Sequence, residues 1–401
     1  MYSTGCLWEQ NVNNEKLHGI KVANVKRRLA QEKIDMVIVF RPENSIYISG
    51  LRPMWGEYVG SLSKYCSILH REGEPILLVR GIDFGRCKSS MTWIQEGNLR
   101  MMPDMGNSAS VKEDVFKNFE PIFRKFDCFE GRIAIDASDF AIFDAFRVNF
   151  PKVEIVDGDF FMKQAKLIKE PEEIDQIKSA CAITDVGFAI ARKNMRHGIR
   201  ECELAGKIFK VQYSLGAERP QGTHIVASGF RNVPLHRMAT DRMMCEGDLL
   251  FLDLGVCYNG YYSDGSRVYA LGKPRPEQKH LHKAIYESLQ KMIKMCIPGA
   301  IGGDIAAAGR KVITDWGYGE YIFFGLFGHG VGTSAQEAPV IGEIATSGEI
   351  RQPLQPNMII ALEPGAFVPS IGGIRCEDVI LITEHGPEVL TKEPYDEKLL
   401  D

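Results

Sequence analysis

Apolar and polar positions along the 401 residues follow two spacings. Residues 15–34 carry the pattern of an amphipathic helix, and 35–40 (Asp-Met-Val-Ile-Val-Phe) read as a buried strand. Short apolar runs follow at 45–49, 65–69, 75–79 and 132–135. A helix over 138–148, with Ser138 as its N-cap, and a strand over 153–156 close this region. It reads as an α/β domain of ordinary size. In 167–174 (Leu-Ile-Lys-Glu-Pro-Glu-Glu-Ile), Pro171 stands at a helix start with Glu172 and Glu173 in the first turn, where the helix dipole favours acids. That helix runs to about residue 195 and stops at His197-Gly198. A helix over 201–215, strands with glycine turns, helices over 277–295 and 301–316, and further strands complete the chain. The length exceeds one ordinary core, and the predicted division is 1–160 and 161–401.

Composition narrows the class. With 45% hydrophobic and 25% charged residues the chain reads as a soluble globular protein. A net charge of −4 without a dense Lys/Arg run argues against nucleic acid or an anionic membrane as partner. No apolar run approaches the ~20 residues of a membrane span, and the first residues lack the pattern of a secretion signal. The ten cysteines are scattered without a CxxC pair, which predicts reduced, mostly buried thiols and a cytoplasmic location. His280 and His282 lie in a polar helical stretch and are expected to be solvated. Gly302-Gly303 and Gly372-Gly373 are turn glycines, because no phosphate-loop context surrounds them.

Four segments hold candidate chemistry. In 247–267, Asp253 ends an apolar strand, a glycine-containing turn follows, and Asp264 comes eleven residues later. A hairpin of that length brings two carboxylates side by side, where they repel unless a cation or a proton intervenes. His329 is flanked by glycines in Gly328-His-Gly-Val-Gly332. Glu363 ends the apolar run 359–362 before Pro364-Gly365, and Glu377 is embedded in a strand pattern where a charge needs a partner. Each is commonplace alone.

Together and in this order they resemble the metal site of the creatinase, prolidase, aminopeptidase P and methionine aminopeptidase superfamily (peptidase family M24). The 169–174 segment is similar to its interdomain motif. Residues 42–50 (Pro-Glu-Asn-Ser-Ile-Tyr-Ile-Ser-Gly) look like a strand and turn of its first domain. Ser228-Gly229 followed by His236, seventeen residues before Asp253, resembles its substrate-side histidine. The resemblance implies an N-terminal creatinase-like α/β domain and a C-terminal pita-bread domain, a curved antiparallel sheet covered by helices.

It also implies two divalent metal ions on Asp253, Asp264, His329, Glu363 and Glu377. Four carboxylates and one imidazole favour Mn(II) or Fe(II) and tolerate Co(II) or Zn(II). Glu363 would take a proton from the attacking water, His236 would donate to the substrate, and Arg375 would orient Glu377 unless it is simply a surface strand residue. The implied reaction is hydrolysis of an amide or C–N bond in a small amino-acid-like substrate, with Xaa-Pro dipeptides the default. A homodimer is implied too, with residues 52–56 as a lid anchored by Trp55. The chain departs from the peptidases at Gln336, where a histidine is usual seven residues after His329, and at Gly325. Gln336 can still hydrogen-bond a substrate but cannot carry a proton, so ordinary Xaa-Pro dipeptides are expected to be poor substrates. A dimethylsulfoniopropionate lyase-like or creatinase-like enzyme is the second reading, and a non-enzymatic binding protein of the same fold the third.

Overall fold

A computed structural model of the chain describes residues 13–52, 65–102, 110–136, 139–234, 237–322, 325–342 and 352–401. It divides into two units, Met1–Lys166 and Leu167–Asp401. The expected Ser138 cap, Trp55 with most of its lid, and His236 lie outside the described residues.

The first unit runs α1 (Asn14–Glu32), β1 (Met36–Val39), α2 (Pro42–Ser49), β2 (Tyr65–His70), β3 (Ile76–Val79), α3 (Gly81–Ser90), β4 (Leu99–Met101), α4 (Val111–Phe126), β5 (Arg132–Ile135), α5 (Phe140–Asn149), β6 (Glu154–Asp157) and α6 (Gly158–Ala165). The strands form one mixed sheet in the order β4-β3-β2-β1-β5-β6. Successive side chains of a strand point to opposite faces, and β1 shows why it is apolar throughout. Met36 and Ile38 pack with Phe119, Phe123 and Phe146 of α4 and α5, while Val37 and Val39 pack with Leu29 of α1 and Phe161 of α6. Helices cover both faces, so alternation gives way to a continuous apolar run.

Residues 42–49 are a helix and not the expected strand and turn. Pro42 sets the first-turn φ, Gly50 ends the helix at φ 73°, and the buried Ile-Tyr-Ile run comes from enclosure on every side. The helix start is held from outside: the Asp136 carboxylate at the end of β5 accepts from the Phe40 and Arg41 amides and from Asn44 Nδ2 (2.8 Å). The reading of residues 111–126 missed α4, although Val111, Val115, Phe119 and Ile122 repeat at helical spacing on its buried face.

The second unit runs α7 (Pro171–Asn194), α8 (Glu201–Ser214), β7 (Arg219–Pro220), β8 (Ile225–Ser228), β9 (Leu249–Asp253), β10 (Val256–Tyr258), β11 (Tyr261–Tyr262), β12 (Ser266–Ala270), α9 (Pro276–Met295), α10 (Gly302–Asp315), β13 (Leu326–Gly330), β14 (Glu337–Gly342), β15 (Ile359–Leu362), β16 (Gly365–Val368), β17 (Gly372–Arg375), β18 (Asp378–Thr383), β19 (Gly386–Val389) and α11 (Glu397–Leu400). Pro171 opens α7 as expected, with Glu173 closing a capping box on Glu170. The strands form small antiparallel sheets, of which β14-β13-β15-β18-β19 and β12-β9-β8 build the site. A bridge between Ser266 and Glu377 joins these two. Along β9, Leu249 and Phe251 face α9 and α10, while Leu250 and Leu252 face α7 and α8. The antiparallel layer is thus covered by helices.

His280 is exposed, but His282 is fully buried beneath Tyr395, and burial lowers its pKa to about 4. Two residues carry the chain just over half a turn from a solvent face to a core face, and the polar residues around position 282 hide that difference. The nine described cysteines are free; Cys202 and Cys245 are exposed, the rest buried. No helix among the described residues is long and apolar enough to cross a membrane.

Burial raises the Asp136 pKa to about 7 against the pull of its hydrogen bonds. An unfolded chain releases that proton near pH ~3.9. Folding therefore retains a proton between these values, and stability falls as pH rises from about 4 to about 7, then levels. Asp136→Asn should flatten this slope, so that the loss in denaturation midpoint between about pH 5 and about pH 8 is clearly smaller in the variant than in the wild type. Equal losses in both proteins would show that Asp136 is already ionised in the fold.

Candidate metal centre

The end of β9 supplies Asp253, and the residue before the turn into β12 region supplies Asp264; pairing of β9 with β12 sets Asp253 opposite Ser266. His329 is in β13, the strand between β14 and β15. Glu363 follows β15, with its amide donating to the Phe327 carbonyl (2.9 Å). Glu377 lies between β17 and β18. Asp253 and His329 lie in strands and Asp264, Glu363 and Glu377 in the short connections beside them, at the junction of the two sheets.

One oxygen each of Asp264 and Glu377 and a ring nitrogen of His329 lie within 4.8 Å of one another. His329 Nε2 is 3.5 Å from Asp264 Oδ2 and 3.4 Å from Glu363 Oε1. Its Nδ1 faces the Gly330 carbonyl at 3.0 Å; donation there puts the proton on Nδ1 and leaves the Nε2 lone pair toward the carboxylates. Glu377 Oε2 accepts from Ser266 Oγ (2.6 Å), whereas Oε1 is buried with no hydrogen-bond partner. An orphaned carboxylate oxygen among three further acids calls for a cation, either a divalent metal ion or a proton. The donor set is oxygen-rich with one imidazole, which suits a hard or borderline ion.

Arg375 is no surface residue. Its guanidinium is buried at the centre of the acids, pairing with Asp253, with Glu363 (3.0 Å) and with Glu377 (3.3 Å), while its Nε donates to Ser266 Oγ (2.8 Å). Even so, one arginine does not balance the cluster. Burial, then the Glu377, Asp253 and Glu363 carboxylates, push Asp264 well above the usual carboxylate range. Burial also raises Glu377, to about 8, with Arg375 opposing and Glu363 and Asp253 adding.

Three contributors escaped the sequence reading. Ser266 bonds both Arg375 and Glu377. Gln221 donates to Asp264 Oδ2. Arg267, fully buried, donates to the Glu377 carbonyl (2.6 Å) and pairs with Asp378 (2.8 Å), fixing the backbone on which Glu377 rides. Gln336 stands apart from the cluster: it is exposed just before β14, while its neighbour Glu337 is buried against Lys169 (2.6 Å).

Helix-covered antiparallel sheets around a cluster of four acids and one imidazole, with Asp264, Glu377 and His329 buried, mark the second unit as the catalytic part of a metallohydrolase. The chain belongs to metallopeptidase family M24, whose model matches residues 175–384; residues 21–166 match the creatinase/prolidase N-terminal domain. A Xaa-Pro dipeptidase of Pyrococcus furiosus is 30% identical over 362 residues, covering 90% of this chain and 94% of that relative. An uncharacterized peptidase of Bacillus subtilis is 35% identical over 243 residues, 61% of this chain and 67% of that one. Among solved structures, the prolidase of Pyrococcus horikoshii OT3 superposes with a TM-score of 0.77 at 28% identity, covering 94% of this chain and 99% of that chain. The two-domain α/β class expected from sequence is thereby established.

Ser266 makes the sharpest local test. Ser266→Ala should weaken divalent-metal affinity roughly 10–100-fold, the usual effect of losing a group that orients a ligand. Ser266→Thr, which keeps the hydroxyl, should restore most of it. Chelator competition on both variants measures this; unchanged affinity in the alanine variant would remove Ser266 from the site.

Proposed function

We propose that this metallohydrolase is a dinuclear peptidase acting on small amino-acid-like amides, with Xaa-Pro dipeptides the default substrate. The observation that carries the reading is Glu377, which has a buried, partnerless Oε1 and brings one carboxylate oxygen within 4.8 Å of ligand atoms of Asp264 and His329. Relatives described as Xaa-Pro dipeptidases over nearly the whole chain support the substrate class.

Asp253, Asp264, His329, Glu363 and Glu377 hold two divalent ions. Ions at such a site supply Lewis acidity toward a carbonyl and make a water easier to deprotonate. Glu363 takes the proton of the attacking water, placed for this by Arg375 on one carboxylate oxygen (3.0 Å) and His329 beside the other (3.4 Å). His236 donates to the negative charge that grows on the substrate carbonyl oxygen. Arg375 keeps Asp253, Glu363 and Glu377 spaced for their tasks, and Ser266 holds Arg375 in register with Glu377. Gln336 contributes hydrogen bonds to substrate at the rim and carries no proton.

Stripping and reloading the protein with Mn(II), Fe(II), Co(II) or Zn(II) tests the reading against a panel of Xaa-Pro dipeptides. About two metals per chain and turnover that vanishes on chelation are expected. Asp264→Ala should lose both metal and turnover while the metal-free variant is no less stable than the metal-free wild type, since a repelling buried carboxylate is gone. Full activity at a verified metal content of zero would overturn the assignment.

The exposed Gln336 gives a second measurement. A general acid–base group contributes roughly 10²–10⁴-fold. Gln336→His should therefore raise kcat on Xaa-Pro dipeptides if the pocket otherwise retains peptidase geometry. Wild-type kcat/KM already in the range of roughly 10⁴–10⁸ M⁻¹s⁻¹ would show that no proton carrier is needed there.

A further inference from the structure

Residues 390–396, between β19 and α11, form no helix or strand, yet they are tied down along their whole length. The Leu390 amide donates to the Val379 carbonyl (2.8 Å), and the Lys392 and Glu393 amides donate to the Asp185 carboxylate of α7 (2.8 and 3.0 Å). Asp396 accepts from the Ala270 amide at the end of β12 (2.7 Å). An extended chain turns alternate residues to one side. Thr391, Glu393 and Tyr395 are accordingly buried or half-buried, while Lys392 and Pro394 are exposed.

The inner side of this segment meets the peptide that carries one candidate ligand. Thr391 Oγ1 donates to Asp378 Oδ1 (2.7 Å) and accepts from the Val379 amide (3.2 Å). The Tyr395 hydroxyl donates to Asp378 Oδ2 (2.9 Å) and lies 3.3 Å from the Glu377 carbonyl oxygen. The Glu393 carbonyl accepts from Arg267 Nε (2.8 Å), and the same guanidinium stands 4.1 Å from the centre of the Tyr395 ring. Arg267 in turn donates to the Glu377 carbonyl (2.6 Å) and pairs with Asp378 (2.8 Å). These contacts converge on residues 377–379, at one carbonyl, one carboxylate and one amide. Glu377 stands in a connection between two strands, so no ladder fixes it and these contacts do.

We propose that residues 391–396 are a positioning element of the metal centre, in which the Thr391 and Tyr395 hydroxyls, through Asp378 and Arg267, set the backbone of Glu377 for a divalent ion. The inference rests on the ligand set proposed above. A buried carboxylate that loses a donor must recruit another or stay under-bonded. Without either hydroxyl, Asp378 draws Arg267 toward itself, and the Glu377 carbonyl loses part of its hold. Metal–ligand distances tolerate deviations of only roughly 0.2 Å, so a small backbone shift at Glu377 reaches the ion as lost affinity.

The test uses the full chain. Thr391→Val removes one hydroxyl at similar volume, Thr391→Ser keeps it, and Tyr395→Phe removes the other while leaving the ring over Arg267. Chelator competition should show Mn(II) bound roughly tenfold more weakly by Thr391→Val and by Tyr395→Phe, the lower end of what losing an orienting group does. Thr391→Ser should stay near wild type. The visible absorption of the Co(II)-loaded proteins, which reports the ligand field, should change in the two weakened variants and not in Thr391→Ser. Thermal melts of the metal-free proteins separate folding from positioning. A lowered metal-free midpoint with wild-type affinity and a wild-type Co(II) spectrum overturns the proposal, because the hydroxyls then serve the fold alone. Equal weakening in Thr391→Ser and Thr391→Val overturns it too. Affinity that falls in the variants, beside a wild type that cleaves no Xaa-Pro dipeptide, supports the positioning role and defeats the substrate reading. Dipeptide cleavage by the wild type, with affinity unmoved in both variants, defeats this proposal alone.

Discussion

Two buried carboxylates, Asp264 and Glu377, and two partly exposed ones, Asp253 and Glu363, crowd one guanidinium and one imidazole, and their mutual repulsion is the constraint around which the site is organised. Like charges at this range cannot all ionise without compensation. Arg375 supplies one positive charge to three of the acids. Burial first, and then the neighbouring carboxylates, raises the affinity of Asp264 and Glu377 for protons, and Arg375 offsets only part of it. Protons and metal ions therefore compete for the same deficit, and the site is tuned to hold cations before any substrate arrives.

Such a cluster persists only if the backbone cannot relax it away. Beneath Glu377, Arg267 is fully buried, donating to the Glu377 carbonyl, pairing with Asp378 and standing 4.1 Å from the centre of the Tyr395 ring. Asp378 also accepts from Thr391 (2.7 Å) and Tyr395 (2.9 Å). Every charge in this lower layer is paired, which is the condition under which buried ions do not destabilise. Two layers result: a satisfied one that anchors the turn between β17 and β18, and an unsatisfied one above it that binds. The second layer depends on the first for its geometry.

The candidate ligands could be picked out in the sequence only as a set: acids that end or interrupt apolar strands, as Asp253, Glu363 and Glu377 do, are commonplace singly, and their order and company single them out. What surrounds them was less legible. Arg375 lies two residues before Glu377 in a segment compatible with a surface strand; only the bridge between Ser266 and Glu377, joining residues 111 positions apart, turns it inward. Ser266 and Gln221 carry no charge, so nothing in the local pattern marks them. In the first unit the helix at Pro42–Ser49 imitated a strand because burial on all sides removes the polar positions that would reveal a 3.6-residue period. His282 was misjudged for the opposite reason: polar neighbours along α9 surround a position whose face is core.

The position of His329 finally depends on what its neighbours lack. Its strand runs between β14 and β15, pairing with Val340 on one side and Ala361 on the other. A Cβ on Gly330 would come within 2.0 Å of the Ala338 carbonyl oxygen, and one on Gly332 within 2.2 Å of the Glu337 carboxylate. Both clashes involve groups that cannot swing aside, one being backbone and the other locked to Lys169 with almost no exposure on either side. Lys169 in turn donates its amide to the Asn357 carbonyl (2.9 Å), just before β15. One linker residue thus grips both strands that flank His329. Glycine lets them close around the imidazole, and the Lys169–Glu337 pair keeps them there, which explains why Glu337 is buried while Gln336 beside it is exposed.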